Sequence, residues 1–134
     1  MTTAEDTRTL ISEVIDPLML ASHARKFFES LAPRPGALIT LWVLTVQIHR
    51  NGLTNFLEDE PAFMVGDVPR AAALLGEDAL AQRFDALLPT LRKGRAGRMK
   101  APAESTLDEL GGPITRLVID GLEQRLLASA QAMR

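Results

Sequence analysis

His23 and His49 are the side chains best suited to acid–base or metal chemistry in this chain of 134 residues. Neither has a His, Asp or Glu at the i+4 spacing that would put two metal ligands on one face of a helix. Both are therefore read as surface imidazoles. Ser12, Ser22, Ser30, Ser105 and Ser129 stand in no Gly-x-Ser-x-Gly turn. A nucleophile needs an activating base and oxyanion donors, so helix-surface or capping roles are expected of these serines. Cysteine is absent, which removes thiolate nucleophiles, disulfides and every zinc site built on Cys ligands. Glu58, Asp59 and Glu60 form a carboxylate triplet, but their spacing is not that of an EF-hand loop, and a solvated acidic turn is the expectation. No glycine-rich phosphate cradle follows a strand. No catalytic residue, metal or cofactor is assigned.

Charge offers more than chemistry does. The net charge of −2 matches neither a strongly basic nucleic-acid binder nor an acidic mimic of one. Its distribution is uneven, however. Between residues 57 and 86 stand Glu58, Asp59, Glu60, Asp67, Glu77, Asp78 and Asp85, against Arg70 and Arg83. Between residues 92 and 100 stand Arg92, Lys93, Arg95, Arg98 and Lys100, with no acid. These five cations could clamp a phosphate backbone, or dock on the acidic region of the same molecule or of a second copy. No aromatic residue is interleaved to stack on bases.

The elements that must position these groups are helical. An apolar fraction of 46% against 24% charged suits an ordered domain, and the length suits one domain over residues 1–134. Strict alternation of apolar and polar residues is lacking, and Tyr is absent. A first helix is expected from Glu5, carrying Leu10, Ile11, Val14 and Ile15. Asp16-Pro17 then reads as a cap and first helical residue of a segment reaching Leu31, or as a kink in one longer helix. The Pro-rich stretch at residues 32–36 is expected to be a turn. Residues 37–50 are apolar around most of a helix circumference, which marks the buried centre of a bundle, with Trp42 as a core anchor. Asn51-Gly52 is the expected stop. A short helix is expected over Leu53–Glu60, closed by Pro61. Asp67 is expected to cap a helix reaching Leu75, and Glu77 and Asp78 to open another, with Leu80, Phe84, Leu87, Leu88 and Leu91 on its stripe. Residues 92–103 read as a mobile basic loop. A short turn around Ser105–Leu110 and the Gly-Gly-Pro break then lead to a C-terminal helix over about residues 113–132. Its stripe includes Ile114, Val118, Gly121, Leu122, Leu126 and Ala130, with Gly121 suggesting close approach of a neighbouring helix. The expected fold is all-α, an irregular bundle of five to seven helices around the central apolar one.

The most apolar run, Ala37–Ile48, is shorter than the ~20 residues a membrane-spanning helix needs. The first ten residues are acidic and polar, unlike a signal peptide. A cytoplasmic location with no membrane partner is expected.

One stretch, Gln47 through Phe56, resembles the signature of a bacterial family of small helical domains named for a DNA-mimic protein. That signature is a helix-ending Glu, then Gly-Gly-Phe, then Gln and an aromatic. Gln47 takes the Glu place, Asn51-Gly52 the Gly pair, Leu53 the Phe, Asn55 the Gln and Phe56 the aromatic. The Ala/Leu-rich helix with its Gly-Glu-Asp-Ala step at residues 76–79 is also similar, so the resemblance covers about residues 25–91. Gln47 lacks the carboxylate of the family's Glu. The motif reads as structural: a chain reversal at Asn51-Gly52, Phe56 plugging the core, and Gln47 and Asn55 bonded to backbone groups freed at the break. What the resemblance implies is a binding role with an unidentified protein partner. Glu58, Asp59 and Glu60 would be the contact surface, and reversing all three to Lys would abolish binding without unfolding the domain. The alternative is nucleic-acid binding through residues 92–100. An enzyme, the third reading, would require His49, Gln47 and the carboxylates near Glu58 to converge. Homodimerisation through the C-terminal helix is compatible with the same stripe.

Overall fold

A computed structural model describes residue 29 and residues 31–133. The two helices expected before Leu31, with His23, Ser12 and Ser22, lie outside the described residues, as does Ser30. The described residues form an all-α bundle with one very short two-stranded sheet.

The central helix, α1, runs over Pro33–Arg50. It starts one turn earlier than expected, because the Pro-rich stretch is its first turn rather than a separate one. Pro is favourable there: its fixed φ suits the helix, and the N–H it lacks would have no acceptor in a first turn. Residues Gly36 through Thr45 are all buried. Each fully buried Leu or Ile of this run contributes about 1.5–3 kcal/mol, which explains why α1 has no single apolar face. The two threonines inside are satisfied: Thr45 Oγ1 donates to the Leu41 carbonyl at 2.7 Å, and Thr40 Oγ1 to Asp67 Oδ2 at 2.7 Å.

At the end of α1 the N–H groups of Asn51 and Gly52 both reach the Gln47 carbonyl, at 2.8 and 2.9 Å. Gly52 takes φ 92° and ψ 170°, a region open essentially to glycine alone. Asn51 keeps a negative φ, so the reversal rests on Gly52. Helix α2, Leu53–Asp59, then packs beside α1 and buries Leu53, Phe56 and Leu57. Pro61 ends it by holding Glu60 extended. One turn, α3 (Ala62–Val65), leads to α4 (Val68–Leu74), whose small Ala71 and Ala72 pack on α1. Helix α5, Asp78–Leu87, buries Leu80, Phe84 and Leu87. The Phe84 ring meets Phe56 edge-on, with centroids 6.3 Å apart. A 3₁₀ turn over Leu88–Thr90 accommodates Pro89.

The basic segment is not a free loop. Arg92–Lys93 (β1) and Met99–Lys100 (β2) pair antiparallel, with Arg92 opposite Lys100 and Lys93 opposite Met99. The turn between them is closed by Arg98 N–H to the Arg95 carbonyl at 2.9 Å, and Ala96 and Gly97 both have positive φ, 51° and 72°. Two left-handed central residues make the turn whose twist matches a hairpin.

Helix α6 runs over Glu104–Leu117, straight through Gly111-Gly112-Pro113. The expected break there is absent. Burial of Gly111 and Ile114 outweighs the helix-breaking tendency of the triplet, and a Cβ on Gly111 would lie 2.8 Å from Leu53 Cδ2. Close approach thus occurs at Gly111 and not at Gly121. The real break is a wide π-type turn over Val118–Leu122, in which Asp120 and Gly121 leave helical geometry and Gly121 reaches φ 109°. Helix α7, Glu123–Ala132, follows and returns to α1 with Leu126, Leu127 and Ala130 buried. No helix among the described residues is long and apolar enough to cross a membrane.

Candidate functional site

The turn that carries the family-like motif is held by side chains on both sides. Gln47, in the last turn of α1, donates from Nε2 to Glu60 Oε1 at 2.9 Å. Its own Oε1 accepts Asn51 Nδ2 at 3.2 Å. Leu53 and Phe56 are buried, and Asn55 stands half-buried on α2. The freed N–H groups at the break go to the Gln47 main-chain carbonyl, so the expected bonding of Gln47 and Asn55 side chains to backbone is replaced by a side-chain bridge from α1 to the end of α2.

That bridge changes the reading of the acidic triplet. Glu60 is committed to Gln47, and Glu58 Oε2 accepts the Ala101 N–H at 2.9 Å. Only Asp59 of the three is exposed. Reversal of all three to Lys would therefore cut two internal bonds as well as change a surface.

The Glu58 bond leads to the basic hairpin, which is fastened to the body at several points. Ala62 N–H donates to the Gly97 carbonyl at 2.9 Å, and Pro61 bridges Arg98. Arg92 Nη2 donates to the Ala101 carbonyl at 2.7 Å, so the backbone of Ala101 is gripped on one side of its Cα by a carboxylate at the N–H and on the other by a guanidinium at the C=O. Strand alternation then sorts the side chains. Met99 and Ala101, half-buried and buried, point toward the body, and Arg98 and Lys100 are exposed on the other face. Opposite residues share a face, so Arg92 joins Lys100 and Arg98 there. Arg95 sits at the exposed tip, and Lys93, also exposed, belongs to the face of Met99. Among the described residues, none of these five cations forms an ion pair.

Elsewhere, charge is paired in ways the sequence did not suggest. Asp67 does not cap α4: its backbone is already helical, and its carboxylate accepts Thr40 and Arg70 instead, tying α1 to α4. That hydrogen bond holds the Arg70 pKa above its ordinary value, against the opposing effect of burial. Arg125 of α7 forms a two-pronged pair with Glu77 at 2.8 Å, with the same direction of shift and the same first cause. Asp59, Asp78, Asp85, Glu104, Asp108 and Glu109 are exposed and unpaired among the described residues.

His49 is exposed and lines a shallow cavity of about 230 Å³ with Trp42, Thr45, Val46, Arg50 and Glu123. His49, Gln47 and Glu58 thus meet three different sets of neighbours. No group of three or more His, Asp or Glu placed to hold a metal ion occurs among the described residues. The signal that could have located the hairpin was Arg98-Met99-Lys100-Ala101, a short polar–apolar alternation after a glycine.

Searches against models of known families, curated proteins and solved structures find no match to this chain.

Proposed function

We propose that the chain is a non-enzymatic helical interaction module whose contact surface is the outer face of the hairpin, and that its partner is polyanionic. The observation that carries this reading is the register. It gathers Arg92, Arg98 and Lys100 on one solvent-facing side, with Arg95 at the tip and no acid among them. A flexible loop would lose side-chain and backbone entropy on binding. A hairpin already fastened through Gly97, Arg98 and Ala101 loses less. Retention on heparin resin tests the proposal. The wild-type chain should need more salt for elution than the Arg98→Ala/Lys100→Ala variant, and identical elution of the two would sink it.

A second reading follows the family that Gln47–Phe56 resembles: a protein-interaction module that presents acids to a partner's cationic surface. The exposed, unpaired Asp59, Asp78 and Asp85 favour it. Because Glu58 and Glu60 are internally bonded, its test is Asp59→Lys with Asp85→Lys, measured as loss of a basic protein partner with the fold unchanged. A partner held equally well by the variant would remove this surface.

A further inference from the structure

We infer that the polyanion bound by the hairpin is the phosphodiester backbone of a double helix, contacted independently of base sequence; this rests on the reading of the hairpin as the contact surface. Three observations separate a double helix from the other polyanions. The first is the composition of the outer face. It carries Arg92, Arg98 and Lys100 with Gly94 opposite Arg98, and no apolar side chain. The exposed large hydrophobics of the described residues are Leu74 and Ile119, both on other elements. Protein interfaces draw their affinity from buried aromatic and apolar anchors, which this face does not offer. A phosphate backbone needs only cations and donors.

The second observation concerns stacking. Proteins that hold single strands place bases on exposed aromatic rings. Among the described residues Trp42, Phe56 and Phe84 are buried, and Phe63, next to the Ala62 that bonds the hairpin, is half-buried against the core, so no fully exposed ring offers a platform there. A double helix keeps its bases stacked internally and asks for no such platform.

The third is spacing and internal repulsion. Arg98 and Lys100, two residues apart on one strand, are separated by about 6.6 Å, comparable with the distance between neighbouring phosphates along a strand. Arg92 lies directly across from Lys100. Like charges placed directly opposite are unfavourable in a sheet; Arg92 turns its guanidinium onto the Ala101 carbonyl, which leaves Lys100 and Arg98 to meet an anion lying along the face. Arg95 at the tip, with Gly94 and Gly97 beside it, can approach a second phosphate with little steric hindrance. The acids Glu104, Asp108 and Glu109 follow the hairpin on α6 and would be repelled by the same backbone, so docking is expected from the hairpin's outer face alone.

The experiment is fluorescence anisotropy with the full chain and four labelled probes: a DNA duplex, an RNA duplex, a DNA single strand and polyglutamate. Three phosphate contacts, from Arg95, Arg98 and Lys100, predict a duplex salt slope of about −2.7, a loss of roughly fortyfold between about 50 and about 200 mM salt. Arg98→Ala/Lys100→Ala should reduce that slope by about 2, with circular dichroism confirming an unchanged helical fold. A preference for one duplex would say which double helix is bound. Equal or tighter binding of the single strand, or of polyglutamate, would overturn the inference. Retention on heparin without duplex binding would overturn it too, leaving the polyanion reading in place, whereas failure on both overturns both.

Discussion

The carboxylate of Glu58 accepts a hydrogen bond from the main-chain N–H of Ala101 at 2.9 Å, joining residues 43 positions apart. The contact brings a predicted acidic surface and a predicted basic loop into one structure. On the other side of the same residue, Arg92 donates to the Ala101 carbonyl. The acid therefore helps to hold the cations in place, and a function ascribed to either segment depends on the other.

Replacing Glu58 by Ala should free the root of β2. Removing an acceptor and leaving a largely buried N–H unpaired costs about 1–3 kcal/mol, and the partial exposure of the bond places this case at the low end. Asp59→Ala, at an exposed position, should change stability by no more than about 0.5 kcal/mol. Urea denaturation of the two variants would check the contrast. Equal effects would mean that the Glu58 bond contributes nothing to the fold.

Ala96 occupies a left-handed turn position with φ 51°. A residue with a Cβ pays roughly 1–2 kcal/mol for that conformation, which Asn tolerates better. Ala96→Asn should therefore raise stability by several tenths of a kcal/mol and leave the exposed cations untouched. A lower melting temperature for this variant would contradict the turn geometry.

Phe56 and Phe84 form the aromatic contact between α2 and α5, both fully buried. Either single change to Ala should cost about 3–5 kcal/mol. A double-mutant cycle should leave a coupling of about 0.5–1.5 kcal/mol. Simple additivity of the two losses would show that the rings do not act as a pair.

Arg125 and Glu77 tie α7 to the turn before α5. The Arg125 side chain is 48% exposed, so the pair contributes at most about 1 kcal/mol. Its hydrogen bond to Glu77 raises the guanidinium pKa. A raised cation pKa stabilises the fold at every pH below the unfolded value, and the gain is lost only as pH climbs through the folded one. Arg125→Ala should therefore show the same small deficit from weakly acidic to weakly alkaline pH, shrinking with added salt. A deficit that grew between neutral and mildly alkaline pH would assign the effect to another group.

Legibility followed the range of the interactions involved. The three- and four-residue spacing of Leu80, Phe84 and Leu87 is legible because that helix buries one face. The Gly111-Gly112-Pro113 triplet was misread as a break because local propensity ignores Leu53, which packs where a Gly111 side chain would be. The hairpin escaped notice because its turn has Ala96 where Asn or Asp would have been the signal. Asp67 looked like a cap from its place before Val68-Pro69, but its carboxylate is drawn to Thr40 and Arg70.

What the sequence determined by itself was the helical class, the buried central segment and the segregation of acids from bases. Hydrophobic periodicity and charge order are properties of the chain that survive any folding of it. What only the tertiary structure decided was which charges remain available. Glu58, Glu60 and Arg92 are bound internally while Arg98 and Lys100 stay exposed, because pairing depends on distances between segments that folding alone brings together.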